Sequence, residues 1–288
     1  PLTRVARFGR VGSEVSLMVP AHPGFDIRPG TYRIEIDSEQ PVEATVTLKT
    51  GPVGPDLAQV VDLDVVSTVG GFADAAGRDE LRAAVDRVLE PQNLGVGELQ
   101  VTSASPGDGE RFERFDLDVD PGPVCGLGDG SRRPRSLQVV LVGSFTGGSV
   151  GYSTGVPGAV GVPSAGATCV VIAAEDVPVD RLGATIAHEG AHFMGLTHPT
   201  EGDGTEGDDF DDTPVCDVAT YDGRDGFGQE GVEDGLVTAT ECGVEGGADN
   251  VLFPEDAPPE ARSILTQTEL TDDQAWALRR HPLFRPVR

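Results

Sequence analysis

Three of the chain's five histidines fall within one eleven-residue stretch, His188-Glu189-Gly190-Ala191-His192-Phe193-Met194-Gly195-Leu196-Thr197-His198. His188 and His192 are four apart, so on an α-helix they share a face and can aim imidazole nitrogens at one ion. Glu189 then stands beside that ion rather than on it, where a carboxylate can take a proton from a metal-activated water. A helix continuing to His198 would carry it about nine ångströms along the axis from His192. Gly195 predicts the break, because glycine readily adopts the left-handed conformation that ends a helix and turns the chain back toward the ion. Three neutral imidazoles plus a water make the open tetrahedral arrangement of catalytic zinc.

The pattern H-E-x-x-H-x-x-G-x-x-H is the signature of the metzincin zinc endopeptidases, and His188, Glu189, His192, Gly195 and His198 meet every fixed position. With Leu196 inside the motif and Asp211-Asp212-Thr213-Pro214 shortly after it, the chain most resembles the pappalysin family of metzincins. That resemblance implies an α/β (α+β) metzincin-like catalytic domain with a twisted mixed sheet and an active-site helix. It also implies a secreted zinc endopeptidase acting on peptides or proteins, with Glu189 as general base and acid. The alternative is an extracellular zinc-binding or interaction module that is catalytically weak or inactive.

Further residues follow from the resemblance. Metzincins pair substrate antiparallel to the strand at the lip of the cleft, and Gly151 to Val162 resembles that edge, with Gly151 and Tyr152 against the substrate; small residues let a peptide backbone approach. Asn250-Val251-Leu252-Phe253-Pro254 occupies the place of the family's methionine turn. Leu252 stands where the methionine would be, a near-isosteric floor for the site, and the family's tyrosine is replaced by Phe253 or Pro254. Those departures motivate the inactive alternative. Glu255 and Asp256 lie where related enzymes wall the pocket after the scissile bond, so Glu255 would select arginine or lysine. The carboxylates Asp208, Asp209, Asp211 and Asp212 form an expected calcium site, resting on charge and on the resemblance, since no EF-hand spacing is met.

Four cysteines without C-x-x-C spacing point to disulfides in an oxidising compartment, with three pairings open. The family implies a bridge in the glycine-rich acidic segment that holds Cys216 and Cys242, which leaves Cys125 with Cys169. Formal charge is −27, and Lys49 is the only lysine. Such a surface repels nucleic acid and anionic membranes. No apolar run reaches the eighteen or so residues of a membrane span. The chain begins at Pro1 without a methionine, as would one from which a signal peptide or further pro-segment has been removed, or one that has been trimmed. No feature specifies an oligomeric state.

Elements must position these groups. Residues 1–50 read as a small β unit, because Tyr32–Ile36 and Val42–Leu48 alternate apolar with polar, and residues 51–58 read as a Gly/Pro linker. From residue 59 the pattern becomes α/β, and the resemblance implies that residues 59–288 form a metzincin-like zinc peptidase domain. Strands are expected at Val60–Val66, Glu98–Ser103, Leu137–Val142 and Cys169–Ala174, and a helix at Arg78–Leu89. Residues 105–135 read as a surface excursion. The active helix is expected over Pro178–Met194 with Asp180 as its cap, and with Leu182, Ile186 and Phe193 on its buried stripe. Gly183 and Gly190 each cost it about 1 kcal/mol of propensity, and Gly190, beside Glu189, is read as room for water or substrate. Leu270 to Gln274 contains a capping box that starts a last helix, with His281 on the surface beyond it.

Overall fold

The computed structural model describes residues 7–11, 14–20, 22–24, 39, 41, 46–49, 53–117, 120–128, 133, 135–146, 149–160, 168–204, 207–224, 235–254 and 266–287. Its elements run β1 (Arg7–Val11), β2 (Glu14–Met18), β3 (Gln59–Ser67), α1 (Ala75–Leu89), β4 (Leu94–Ser103), α2 (Pro106–Arg111), β5 (Arg114–Phe115), α3 (Gly122–Cys125), β6 (Ser136–Val142), β7 (Ser144–Phe145) and β8 (Gly151–Ser153). They continue through β9 (Cys169–Ala173), α4 (Val179–Phe193), α5 (Val218–Tyr221), α6 (Ala239–Cys242), α7 (Asp272–Arg280) and β10 (Phe284–Pro286).

The main sheet is mixed but mostly parallel. β4, β3, β6 and β9 lie side by side in parallel, β8 closes one edge antiparallel to β9, and β10 pairs antiparallel with the start of β3. β6 is apolar on both faces apart from Ser136 and Gln138, because both faces are covered. Leu137, Val139 and Leu141 face the core beneath α1 and α4, together with Val170 and Ile172 of β9. Val140 and Val142 face the other way with Cys169 and Val171, the period-two alternation of a strand.

What covers that second face corrects the sequence reading of residues 105–135. The described part of that segment packs as a layer rather than a loose excursion, since Phe112, Phe115, Val124 and Cys125 are buried with Val140, Val142, Cys169 and Val171 of β6 and β9. A disulfide from Cys125 to Cys169 ties it to the sheet. Its glycines and charges concealed the few aromatic side chains that carry the burial.

At the N-terminal end, β1 and β2 form an antiparallel hairpin. The strand expected at Tyr32–Ile36 and the first half of that expected at Val42–Leu48 lie outside the described residues, while Val46–Leu48 are in neither strand nor helix. Among the described residues, Met18, His22 and Lys49 join this end of the chain to the rest. Met18 lies against Gly195, His22 stacks on Phe210 at 5.5 Å, and the Lys49 ammonium donates to Gln59 Oε1 at 2.6 Å and to the carbonyls of Arg279 and His281 at the end of α7. A cation there satisfies carbonyls that the helix leaves open. Among the described residues no helix is long and apolar enough to cross a membrane.

Candidate functional site

Helix α4 holds the first two histidines. Leu182, Ile186 and Phe193 are buried on its core side, and burying each contributes roughly 1.5–3 kcal/mol, which outweighs the propensity cost of its two glycines. Both glycines are explained by packing. A Cβ at Gly183 would lie 2.4 Å from Ala84 Cβ of α1, and one at Gly190 would lie 3.0 Å from Leu137 Cδ2 of β6. Gly190 therefore makes room for the sheet, not for water or substrate as the sequence suggested. Asp180 does not cap the helix; Pro178 is the N-cap residue and has no side-chain cap bond, while Asp180 pairs with Arg87 at 2.8 Å.

The end of α4 follows from Gly195. Its φ is +96°, and the amides of Gly195 and Leu196 donate to the carbonyls of His192 and Ala191 at 2.8 and 3.0 Å. This is a Schellman closure, which reverses the chain at a left-handed residue. The reversal brings His198 back beside the other two histidines.

The three imidazoles converge through their Nε2 atoms. His192 Nε2 lies 3.0 Å from His188 Nε2 and 3.0 Å from His198 Nε2. Each Nδ1 is engaged elsewhere: His188 with the Val251 carbonyl at 2.7 Å, His192 with the Leu196 carbonyl at 2.8 Å, and His198 with Glu201 Oε2 at 3.0 Å. Those acceptors require N–H at every Nδ1, which leaves three Nε2 lone pairs facing one another. Lone pairs at 3.0 Å repel unless a cation lies among them, and tetrahedral zinc with bonds of 2.0–2.1 Å would space its nitrogens about 3.3 Å apart. The donor set thus fits a divalent metal and suits zinc. Among the described residues it is the one group of three or more His, Cys, Asp or Glu side chains gathered for such an ion.

Glu189 stands beside this set, its Oε1 4.0 Å from His188 Nε2. Burial pushes its carboxyl up to about 8, opposed by a hydrogen bond from the Ser153 backbone. That bond comes from β8, whose backbone passes so close that a Cβ on Gly151 would meet Glu189 Oε1 at 2.5 Å. Gly151, Tyr152 and Ser153 form one wall of a cleft of about 810 Å³, with the three histidines, Glu189 and Glu201 along it and Val251, Phe253 and Pro254 beyond.

The turn at residues 250–254 lies beneath the histidines. Asn250 Oδ1 accepts the Leu252 amide at 2.9 Å, and the same turn presents the Val251 carbonyl to His188. Leu252 itself is wholly buried in the main core and does not line the cleft. Phe253 is buried in a small cluster with Cys216 and Cys242, which are bridged with Cα atoms 5.6 Å apart. The disulfide thereby braces the turn that orients His188.

Glu255 and Asp256 lie outside the described residues. The carboxylates Asp208, Asp209, Asp211 and Asp212 do not gather about one point with ligand spacing; Asp208 accepts hydrogen bonds from the Phe210 amide and Gln274 Nε2, and Asp212 from the Asp273 amide. Sequence reasoning passed over the groups that orient the histidines. Glu201, three residues after His198, was legible as a carboxylate partner, whereas the Val251 carbonyl carries no sequence signal at all.

No protein-family profile matches the chain, and no curated protein matches it. Among solved structures it is similar to metalloproteinase-II from Bacteroides fragilis, at 14% identity and a TM-score of 0.35, over 52% of this chain and 46% of that one. The chain thus spans about half the length of that structure. It is also similar to a chaperone–substrate complex, at 13% identity and a TM-score of 0.31, over 78% of this chain and 36% of that one. Both likenesses are too slight to bear on function, which is read from the site alone.

Proposed function

We propose that the protein is a secreted zinc-dependent endopeptidase of the pappalysin-like metzincin type. The observation that supports this reading most directly is the convergence of three Nε2 atoms, each with its Nδ1 proton committed, beside a buried carboxylate in an open cleft. Two disulfides agree with an oxidising compartment.

His188, His192 and His198 would hold the metal. Zinc, when bound there, would polarise a substrate carbonyl and acidify a water. Strand β8 offers an extended peptide a backbone edge to pair with. Glu189 takes the proton of the attacking water on its carboxylate and delivers it to the leaving amine nitrogen, and its burial favours holding that proton in between. The Ser153 backbone holds that carboxylate with a hydrogen bond.

Purified protein should bind one equivalent of zinc and digest an unfolded protein such as casein in a chelator-sensitive way. Glu189→Gln should retain the zinc and lose about 10²–10⁴-fold in rate. Zinc bound without any digestion would leave only the alternative, a zinc-binding extracellular module.

A further inference from the structure

The Val251 carbonyl that holds the His188 Nδ1 proton at 2.7 Å belongs to the same peptide unit as the Leu252 N–H. That unit is planar and trans, with its N–H and C=O pointing in opposite directions, so whatever aims one end aims the other. Asn250 Oδ1 holds the Leu252 end at 2.9 Å. Asn250 is itself buried, and its Nδ2 donates to Gln274 Oε1 at 2.9 Å.

Gln274 is wholly buried in the first turn of α7. Its Oε1 also accepts the Thr271 amide at 3.1 Å, one half of the capping box that starts this helix. Its Nε2 donates to Asp208 Oδ2 at 3.3 Å and lies 3.5 Å from Asn250 Oδ1. Backbone amides at both ends settle which way the two side-chain amides face, because the Thr271 and Leu252 N–H groups must each meet an oxygen. The Gln274 nitrogen is thereby turned to the Asp208 carboxylate. Capping does not account for that nitrogen, since a capping box is served by glutamate as well as by glutamine.

We propose that Gln274 is a positioning residue of the zinc site: it holds Asn250 so that the 251–252 peptide presents its carbonyl to His188, and Asp208 anchors the Gln274 amide from the acidic segment. This rests on the zinc-site reading and adds to it a support drawn from α7, outside the zinc motif. Breaking the link lets the peptide rotate and frees the His188 imidazole to turn away from the other two.

Gln274→Glu separates the two roles of the side chain. It keeps the oxygen that caps the helix and puts an oxygen in place of the nitrogen that faces Asp208. At pH 8.5, far above the ordinary glutamate value of about 4.3, the two carboxylates repel. Zinc affinity of the folded protein, read by competition with a zinc-buffering chelator, should then fall at least threefold, approaching the tenfold loss seen for groups that orient a metal ligand directly. Asp208→Asn returns an amide to the pair with its polarity reversed, so Gln274→Glu should cost less zinc affinity when both proteins compared carry Asp208→Asn. Ratios within each background cancel any effect of Asp208→Asn itself. If Gln274→Glu does not fold, Asn250→Asp tests the same link, because it keeps the acceptor for the Leu252 amide and loses the donor to Gln274; the same threefold loss is expected. A smaller loss, or one that is as large in the Asp208→Asn background, overturns the proposal and leaves Gln274 a helix cap beside an intact zinc site. Wild-type protein that binds no zinc removes the zinc-site reading and this proposal with it. Digestion enters none of these measurements, so the peptidase reading is tested apart from them.

Discussion

At the scale of single residues, the histidines can serve as ligands because something else holds their other nitrogens. A free imidazole can place its proton on either ring atom, and only the Nδ1–H form presents Nε2 to a metal. Two of the three orienting acceptors are backbone carbonyls, which mutation cannot remove, but the third is the Glu201 side chain. Glu201→Ala should therefore weaken zinc binding by about tenfold, the lower end of the range for such partners, since its side chain is half exposed and screened. Competition with a zinc-buffering chelator measures this; unchanged affinity would show that His198 is fixed by the Gly195 turn alone.

At the scale of elements, α4 must satisfy the core, the sheet and the cleft together. It crosses α1 so closely at Gly183 that a methyl group there would overlap Ala84. Gly183→Ala is a good test because two effects oppose. Alanine improves helix propensity by about 1 kcal/mol, whereas overpacking a tight crossing costs about 1–3 kcal/mol. Steric overlap with both the Cβ and the backbone of Ala84 makes the second effect the larger, so thermal unfolding should shift downward. An upward shift would mean that α1 and α4 separate freely, and that the register of His188 against Val251 is held by the turn instead.

At the scale of the whole molecule, the C-terminal end of the chain is a buried joint. His281, expected on the surface, is 3% exposed, and burial lowers its imidazole from 6.5 to about 3, with the nearby Lys49 ammonium adding to the effect. The sign follows directly. Between pH 6.5 and about 3 the unfolded chain takes up a proton at this residue that the folded chain refuses, so stability falls as pH drops through that window, by up to about 1.4 kcal/mol per pH unit. Above pH 6.5 the residue contributes no pH dependence. Replacing it as His281→Gln should flatten the acid side of the stability curve in urea titrations at pH 6.5, 5.5 and 4.5. Parallel curves for the two proteins would show that His281 charges within the fold.

Much of the site was legible in the sequence because its logic is local. The spacing of the histidines, the carboxylate beside them and the left-handed glycine are set by helix periodicity and by the conformational freedom of one residue, and these act over eleven positions. The parallel strands were legible for the same reason, since a strand buried on both faces must be apolar along its length. What only the tertiary structure decided depends on residues distant in sequence. The Val251 carbonyl reaches His188 across 63 positions. Gly183 and Gly190 answer to Ala84 and Leu137 on other elements, and the described part of residues 105–135 became a core layer because the second face of the sheet required cover. Leu252 fills the core rather than the cleft. Local periodicity names the chemical groups, but burial and orientation arise from what folds against them, and that information is spread over the whole chain.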